Sequence, residues 1–340
     1  MAAKDFSPAP LSKVLYIAIL FLAVGTVAIK LGQGRLIWQT LQQGVWWWLA
    51  PATFLQLLFL LNQSALYVAV YQMAGLPAKM RHLSSLVVAA AFVAAVVPGG
   101  TMAGTGLMLY DARRRQWDMA RVLVANILFF LFDYLAFFLV LAIAFIYLCR
   151  WSDLQKYELV ATAILVALIA ALASGLLLLA TRPGIFLKMA RKLVHSVNGF
   201  QPGKIAQTMN WDEILEEFTG RLSSILQTIL RDRSALGRAA CHALLVEGIG
   251  LLQLQALFLA FHQNPGLARL IIGYAIGVLF MIVSLTPQGV GLMEGAMTAA
   301  YASLGIPLEQ AVLVTFIYRG LSFWLPMFCG LILFKRSVAQ

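Results

Sequence analysis

Residues 284–297 read SLTPQGVGLMEGAM, a Pro, three Gly and a Glu inside a chain that is apolar on both sides. Proline removes a backbone donor and glycine loosens a helix, so an apolar helix cannot run through this stretch unbroken. A second break, VVPGGTMAGTG at residues 96–106, interrupts another apolar stretch. Each interrupted stretch, about 83–112 and 269–304, is therefore expected to be two short helices joined by unwound backbone.

The rest of the chain sets the context. Of 340 residues, 61% are hydrophobic and only 11% charged, and the mean hydropathy is +0.86. These values exclude a water-soluble globular domain and indicate an all-α polytopic membrane protein forming one integral membrane domain over 1–340. Uninterrupted apolar runs long enough for a ~30 Å hydrocarbon core fall near 14–31, 47–73, 120–148, 158–180, 237–261 and 308–334. The first run is too long for the core of a signal peptide and has no small-residue cleavage pattern after it, so it is expected to be a retained span.

Charge decides how the two broken stretches are threaded. If both turn back, then Lys4, Lys13, Lys79, Arg81, Arg113, Arg114, Arg115, the basic loop from Arg182 to Arg238, and Lys335 and Arg336 all fall on one side. If the first one crosses, the Arg triplet and the long loop move to the opposite side. The positive-inside rule thus predicts six full spans plus two re-entrant broken hairpins, with both termini cytoplasmic in a bacterial-type inner membrane. The net charge of +11 is absorbed by these loops and by anionic lipid, so nucleic acid is not an expected partner.

The same threading opens the hairpins to opposite sides and makes the halves inverted. Repeat 1 covers 47–148 with hairpin 83–112, and repeat 2 covers 237–334 with hairpin 269–304. PGGTMAG at Pro98 matches PQGVGLMEG at Pro287, and the span after each contains a related segment, DYLAFF from Asp133 and RGLSFW from Arg319. Inverted repeats with broken helices are a transporter layout. Between the repeats, residues 181–236 form the one long polar segment. There Ile214, Phe218, Leu222, Ile225 and Ile229 recur at helical spacing, as expected of an amphipathic helix on the cytoplasmic face.

Charged residues inside apolar spans cost about 3 kcal/mol each unless they meet a partner or water. Four qualify: Asp133, Glu247, Glu294 and Arg319. Glu294 can face a polar cavity or cap the backbone N–H groups of its own broken helix. Arg319 needs a carboxylate, a freed carbonyl or a lipid phosphate. Asp133 holds the place related to Arg319 in the first repeat, which leaves open whether the two converge or each pairs elsewhere. Asn126 shares a face with Asp133, and Gln56, Asn62 and Gln63 bring polarity to the second span. Broken-helix backbone at Pro98, Gly99, Gly100, Pro287, Gly289 and Gly291 would aim free N–H groups at mid-membrane, where an anionic head group could bind. The pairs Gly100/Gly104, Gly273/Gly277 and Gly291/Gly295 are spaced for close helix packing.

Other chemistry has no signature. Cys149, Cys241 and Cys329 lack CxxC spacing and are expected to pack, the four His lack metal-ligand spacing, and no P-loop or G-x-S-x-G occurs. No metal, cofactor or catalytic residue is expected. Trp46, Trp47, Trp48 and Trp151 are placed as outer interfacial anchors.

TPQGVGLMEGAMTAAYASLGIP, followed by EQAVLVTFIYRGLSFWLP, resembles the C-terminal hallmark of the membrane domain of lysylphosphatidylglycerol synthases and their stand-alone relatives. The residues that carry it are Pro287, Gly289, Gly291, Glu294, Gly305, Pro307 and Arg319, with Pro98, Gly99, Gly100 and Asp133 in the first half. Relatives carry a Glu soon after the first break and an Arg shortly before the Asp, where this chain has Gly104, Thr105 and Asn126. The resemblance implies a membrane domain of inverted repeats that moves lipids, notably aminoacylated phosphatidylglycerol, between leaflets. With the chain ending at Gln340, the separate soluble aminoacyltransferase domain is expected to be absent.

A flippase-like lipid translocase follows, its partners being membrane phospholipids with anionic or aminoacylated head groups and, in the cell, a lipid-modifying enzyme. Its alternatives are a membrane-embedded enzyme using Glu294 and Glu247 as acid and base, a secondary solute transporter, or a scaffold.

Overall fold

The computed structural model describes residues 34–97, 100–151, 211–284 and 286–339, with 167, 170–171, 174–175 and 177–189 between them. The expected first span, 14–31, lies outside the described residues, as do Pro98 and Gly99 and much of 158–180. Among the described residues every regular element is helical: α1 (Gly34–Gln42), α2 (Leu49–Met73), α3 (Met80–Val96), α4 (Thr101–Arg114), α5 (Met119–Trp151), α6 (Trp211–Arg231), α7 (Arg233–Ala260), α8 (Gly266–Val283), α9 (Leu292–Ser303), α10 (Leu308–Arg319) and α11 (Leu325–Ala339). The chain is an all-α polytopic membrane protein. Among the described residues five stretches are long and apolar enough to cross a membrane: Trp46–Met73, Met119–Leu148, Arg233–Ala260, Gly266–Val283 and Leu308–Leu333.

Both broken stretches fold back on themselves. In the first, a Cβ on Gly104 would stand 3.0 Å from the Ala90 carbonyl and 3.5 Å from the Ala94 methyl, so α4 runs antiparallel along α3. In the second, Gly277 faces Met297 and Gly273 lies against the Tyr301 ring, so α9 runs antiparallel along α8. At 1.5 Å per residue, α4 and α9 extend only about 21 and 18 Å, short of the ~30 Å hydrocarbon core. Limb α8, by contrast, is itself of spanning length, because its break comes late, after Val283.

Packing between the halves is reciprocal. Helices α2 and α7 form the most extensive pair in the fold, α3 packs on α11, and α8 packs on α5. Thus the leading limb of each hairpin lies against the last span of the other half. Gly330 permits the first of these contacts, since the Val88 carbonyl and Phe92 Cβ occupy the space of any side chain there. The hairpin tips also meet: Ala95 of α3, Val290 from the second break, and Phe323 and Met327 form one small buried cluster.

Two larger apolar cores fill opposite ends of the bundle. One joins Ala52, Phe137 to Leu148, Leu254 to Phe261 and the buried faces of α8, α9 and α10. The other joins Leu66 to Ala78, Leu83 to Ala90, Val122 to Phe129, Ala239 and Ala243. Along α2, α5 and α7 the switch between cores happens at one level, and there the chain places Asn62, Asp133 and Glu247.

The amphipathic helix expected in 181–236 is α6. Its Leu222, Leu226 and Ile229 are buried in the second core, so its apolar face is closed by the protein itself instead of lying on lipid. Ile214 and Phe218 fall among residues whose side chains are not described. Cys241 and Cys329 are exposed, which corrects the expectation that they pack inside.

Candidate functional site

The opening stretch builds a clamp. The backbone reverses through positive φ at Gln288 (+52°), Gly289 (+69°) and Gly291 (+86°). At Gly289 only glycine fits, because an added Cβ would sit 2.7 Å from the Met281 Cα. Past the turn, Glu294 reaches back, and its Oε2 accepts the Gly291 N–H at 2.7 Å, a capping arrangement at the start of α9. Its other oxygen, Oε1, accepts Arg319 Nε at 2.8 Å. Arg319 Nη2 donates to the Gln288 carbonyl at 3.0 Å, and the guanidinium lies 4.7 Å over the Phe323 ring. That ring is brought beneath it by a π-helical turn, Gly320–Trp324, directly after Arg319.

Glu294 and Arg319 are each 2% exposed. A buried pair with this many bonds is a satisfied unit. The N–H of Gly291, expected to face a head group, is occupied by the protein's own carboxylate. The convergence of Asp133 with Arg319 is not what the fold shows, since Arg319 pairs with Glu294. The glycine pairs act as packing positions at Gly104, Gly273 and Gly277.

A second locus lies at the level where the cores change. Glu247, buried on α7, accepts Tyr274 Oη of α8 at 2.9 Å. Gly250, one turn along, makes this possible, because a Cβ there would come within 2.8 Å of that hydroxyl. Asp133 on α5 stands within electrostatic reach of Glu247, Tyr67, Tyr134 and Tyr274. It is partly exposed, and among the described residues no hydrogen bond or ion pair holds it. Tyr318 of α10 lies within electrostatic reach of both Glu247 and Arg319, so it bridges the two loci.

Asn126, placed with Asp133 from sequence, works elsewhere. Its Nδ2 donates to Tyr71 Oη at 3.1 Å and to the Val122 carbonyl at 2.8 Å, tying α5 to α2. Asn62 and His242 make a two-way pair: Asn62 Nδ2 donates to the His242 carbonyl at 2.8 Å, and His242 Nδ1 meets Asn62 Oδ1 at 2.7 Å. Gln56 is buried with neither amide atom bonded.

The tyrosines Tyr67, Tyr134, Tyr274 and Tyr318 were not singled out from sequence. Their one signal was a hydroxyl inside an apolar span, which needs a partner when buried. Among the described residues no group of three or more His, Cys, Asp or Glu is disposed to hold a metal ion.

Broken hairpins, the Glu294–Arg319 clamp and an all-helical membrane fold now stand together, and the family described as the lysylphosphatidylglycerol synthase TM region matches residues 14–330. The chain belongs to this family. Among curated proteins it is similar to a UPF0104 membrane protein of Pyrococcus horikoshii, 24% identical over 133 residues, 38% of this chain and 40% of that protein. It is also similar to a UPF0104 membrane protein of Methanothermobacter thermautotrophicus, 26% identical over 148 residues, 44% of this chain and 42% of that protein. The chain thus spans about two fifths of the length of these curated relatives. No solved structure matches it. Within the lysylphosphatidylglycerol synthase transmembrane family, the clamp rests on the very residues that carried the resemblance.

Proposed function

We propose that this protein is a lipid translocase that passes a polar head group between leaflets along the mid-depth polar layer, and that it acts without catalysing a chemical change. The observation that carries this reading is Asp133, a partly exposed carboxylate with no hydrogen bond or ion pair among the described residues, within electrostatic reach of Glu247 at the level where the two apolar cores meet. A carboxylate at that depth is tolerable only beside water or a cationic partner. Such a pair suits the ammonium group of an aminoacylated or amine-bearing lipid, in keeping with the lipid named by the family.

The reciprocal packing supports reading the halves as inverted repeats, because α3 on α11 and α8 on α5 exchange under a two-fold relation that leaves the α2–α7 pair in place. Rocking of one half against the other would then move the opening of the polar layer between faces. Basic residues from Lys79 to Arg121 and from Arg231 to Arg238 gather at one end, and the exposed Trp46 and Trp47 at the other, which supports a cytoplasmic basic end. The bonds of Glu294 to Gly291 and Arg319 support this reading over one in which Glu294 and Glu247 act as acid and base.

Reconstitution tests the proposal. Liposomes carrying the protein and an aminoacylated phosphatidylglycerol should show leaflet exchange, read by an amine-reactive reagent that cannot cross the bilayer. Asp133→Asn and Glu247→Gln should each slow it about tenfold or more, the scale of one lost charge-assisted contact. Exchange no faster than in protein-free liposomes would refute the proposal.

A further inference from the structure

A cavity of about 310 Å³ opens away from the mid-depth layer, at the basic end, and no step described above uses it. Its lining comes from α2 (Ala65, Val68, Ala69, Gln72, Met73), the start of α3 (Met80), the α6–α7 junction (Thr228, Ile229, Asp232) and α7 (Ala235, Arg238, His242). One wall is thus apolar and of membrane-helix origin, while the other carries both signs of charge.

The charges are not used up on each other. Asp232 and Arg238 are within electrostatic reach, and among the described residues they form no ion pair. Asp232 Oδ1 caps α7, accepting Ala235 N at 3.0 Å and Ser234 Oγ at 2.8 Å, which leaves Oδ2 uncommitted. Those two bonds also hold the carboxyl below its ordinary value, so it stays ionised. Arg238 spends Nη1 on Ser234 Oγ at 3.3 Å, with its remaining N–H groups available. His242 is anchored through Nδ1 to Asn62, and its Nε2 is left over. Thr228 donates to the Ser224 carbonyl and Gln72 to the Ala78 carbonyl, so each keeps an acceptor oxygen.

One guanidinium and several acceptors on the charged wall of an open cavity, facing a greasy wall, match a ligand that carries both an anion and an ammonium. We infer that this cavity binds the head group of a zwitterionic phospholipid, with the phosphate against Arg238, the amine against Asp232, and an acyl chain along Ala65, Val68, Ala69 and Met73. The site would hold lipid on the basic-end leaflet. The inference takes from the translocase reading only that lipid is a ligand, and it stands on binding whether or not exchange occurs.

Binding is measured on the full chain in detergent by native mass spectrometry, titrating dihexanoyl-phosphatidylethanolamine, dihexanoyl-phosphatidylglycerol and soluble glycerophosphoethanolamine. The ethanolamine lipid should bind roughly three- to fivefold more tightly than the glycerol lipid, the scale of one exposed charge contact. Asp232→Asn, which keeps a good helix cap, should erase that preference, and Arg238→Gln should weaken both lipids by a similar factor. Equal binding of the two lipids by the native chain, or a preference that survives Asp232→Asn, overturns the proposal. Binding of glycerophosphoethanolamine as tight as that of the lipid overturns the membrane-lipid assignment. Loss of leaflet exchange in Asp133→Asn with this selectivity intact would separate the cavity from the transport reading.

Discussion

Glu294 poses the sharpest question at the residue scale, because its sequence position allowed both a substrate contact and a helix cap. The fold makes it cap and counter-ion at once, since one oxygen takes Gly291 N–H and the other Arg319. Removing one member of a buried pair leaves the other uncompensated, at a cost of about 3–5 kcal/mol. Glu294→Gln is therefore expected to lower thermal stability in detergent by that amount. Glu294→Leu combined with Arg319→Met should recover a large part, and a double variant as unstable as the single one would show that the clamp is not the source. At Gly250 the contact is finer. Gly250→Ala should displace Tyr274 from Glu247, slowing leaflet exchange while the melting temperature shifts by no more than a few degrees, a separation checked by running both measurements on one preparation.

At the element scale the hairpins depend on glycines that bring limbs together. Alanine at Gly273 has no room against Tyr301, and at Gly330 none against Val88 and Phe92. Each is expected to destabilise by roughly 1–3 kcal/mol as an overpacked contact, whereas Gly295→Ala, with nothing within 4 Å, should be near neutral. Unfolding of the three variants side by side distinguishes packing glycines from incidental ones. The root of the first hairpin is tied differently, by Asp111 to His82 at 2.8 Å and to Arg115 Nε at 3.1 Å. Burial opposes ionisation of Asp111, but the bonds and charges of His82 and Arg115 outweigh it and hold the carboxyl below its ordinary value of 3.8. A lowered carboxyl stabilises the fold above its unfolded pKa and loses that contribution as pH falls through the folded one. The stability difference between the native chain and Asp111→Asn should therefore shrink as pH is lowered from 6 toward 3.

For the whole molecule, the reciprocal packing of α3 on α11 and α8 on α5 and the proposed polar layer make a directional prediction about threading. Cysteines introduced at Arg114 and Arg182 should be labelled from the same side of the membrane, opposite to one introduced at Trp47. Labelling of positions 114 and 182 from opposite sides would mean that the first hairpin crosses. The basic-end cavity and one mid-depth carboxylate share helix α7, at His242 and Glu247, five residues apart. A lipid held at one is thus close to the other, and substitutions at Arg238 and Asp133 should both reduce exchange at low lipid concentration.

Periodicity and apolar run length were enough to read an all-α membrane fold, because burying backbone in lipid leaves few local solutions, and the breakers around Pro287 marked where α8 ends and α9 begins. Partner choice was not legible. Glu294 meets Arg319, Asp133 approaches Glu247, and Asn126 turns to Tyr71, none of which follows from spacing along the chain. The tyrosines were invisible as a set for the same reason, being scattered over α2, α5, α8 and α10. Local sequence determined which segments are helical and where they break. Only tertiary packing decided which charges face one another, since Asp133 and Glu247 lie on helices far apart in the chain and Glu294 reaches Arg319 only through the packing of α9 against α10.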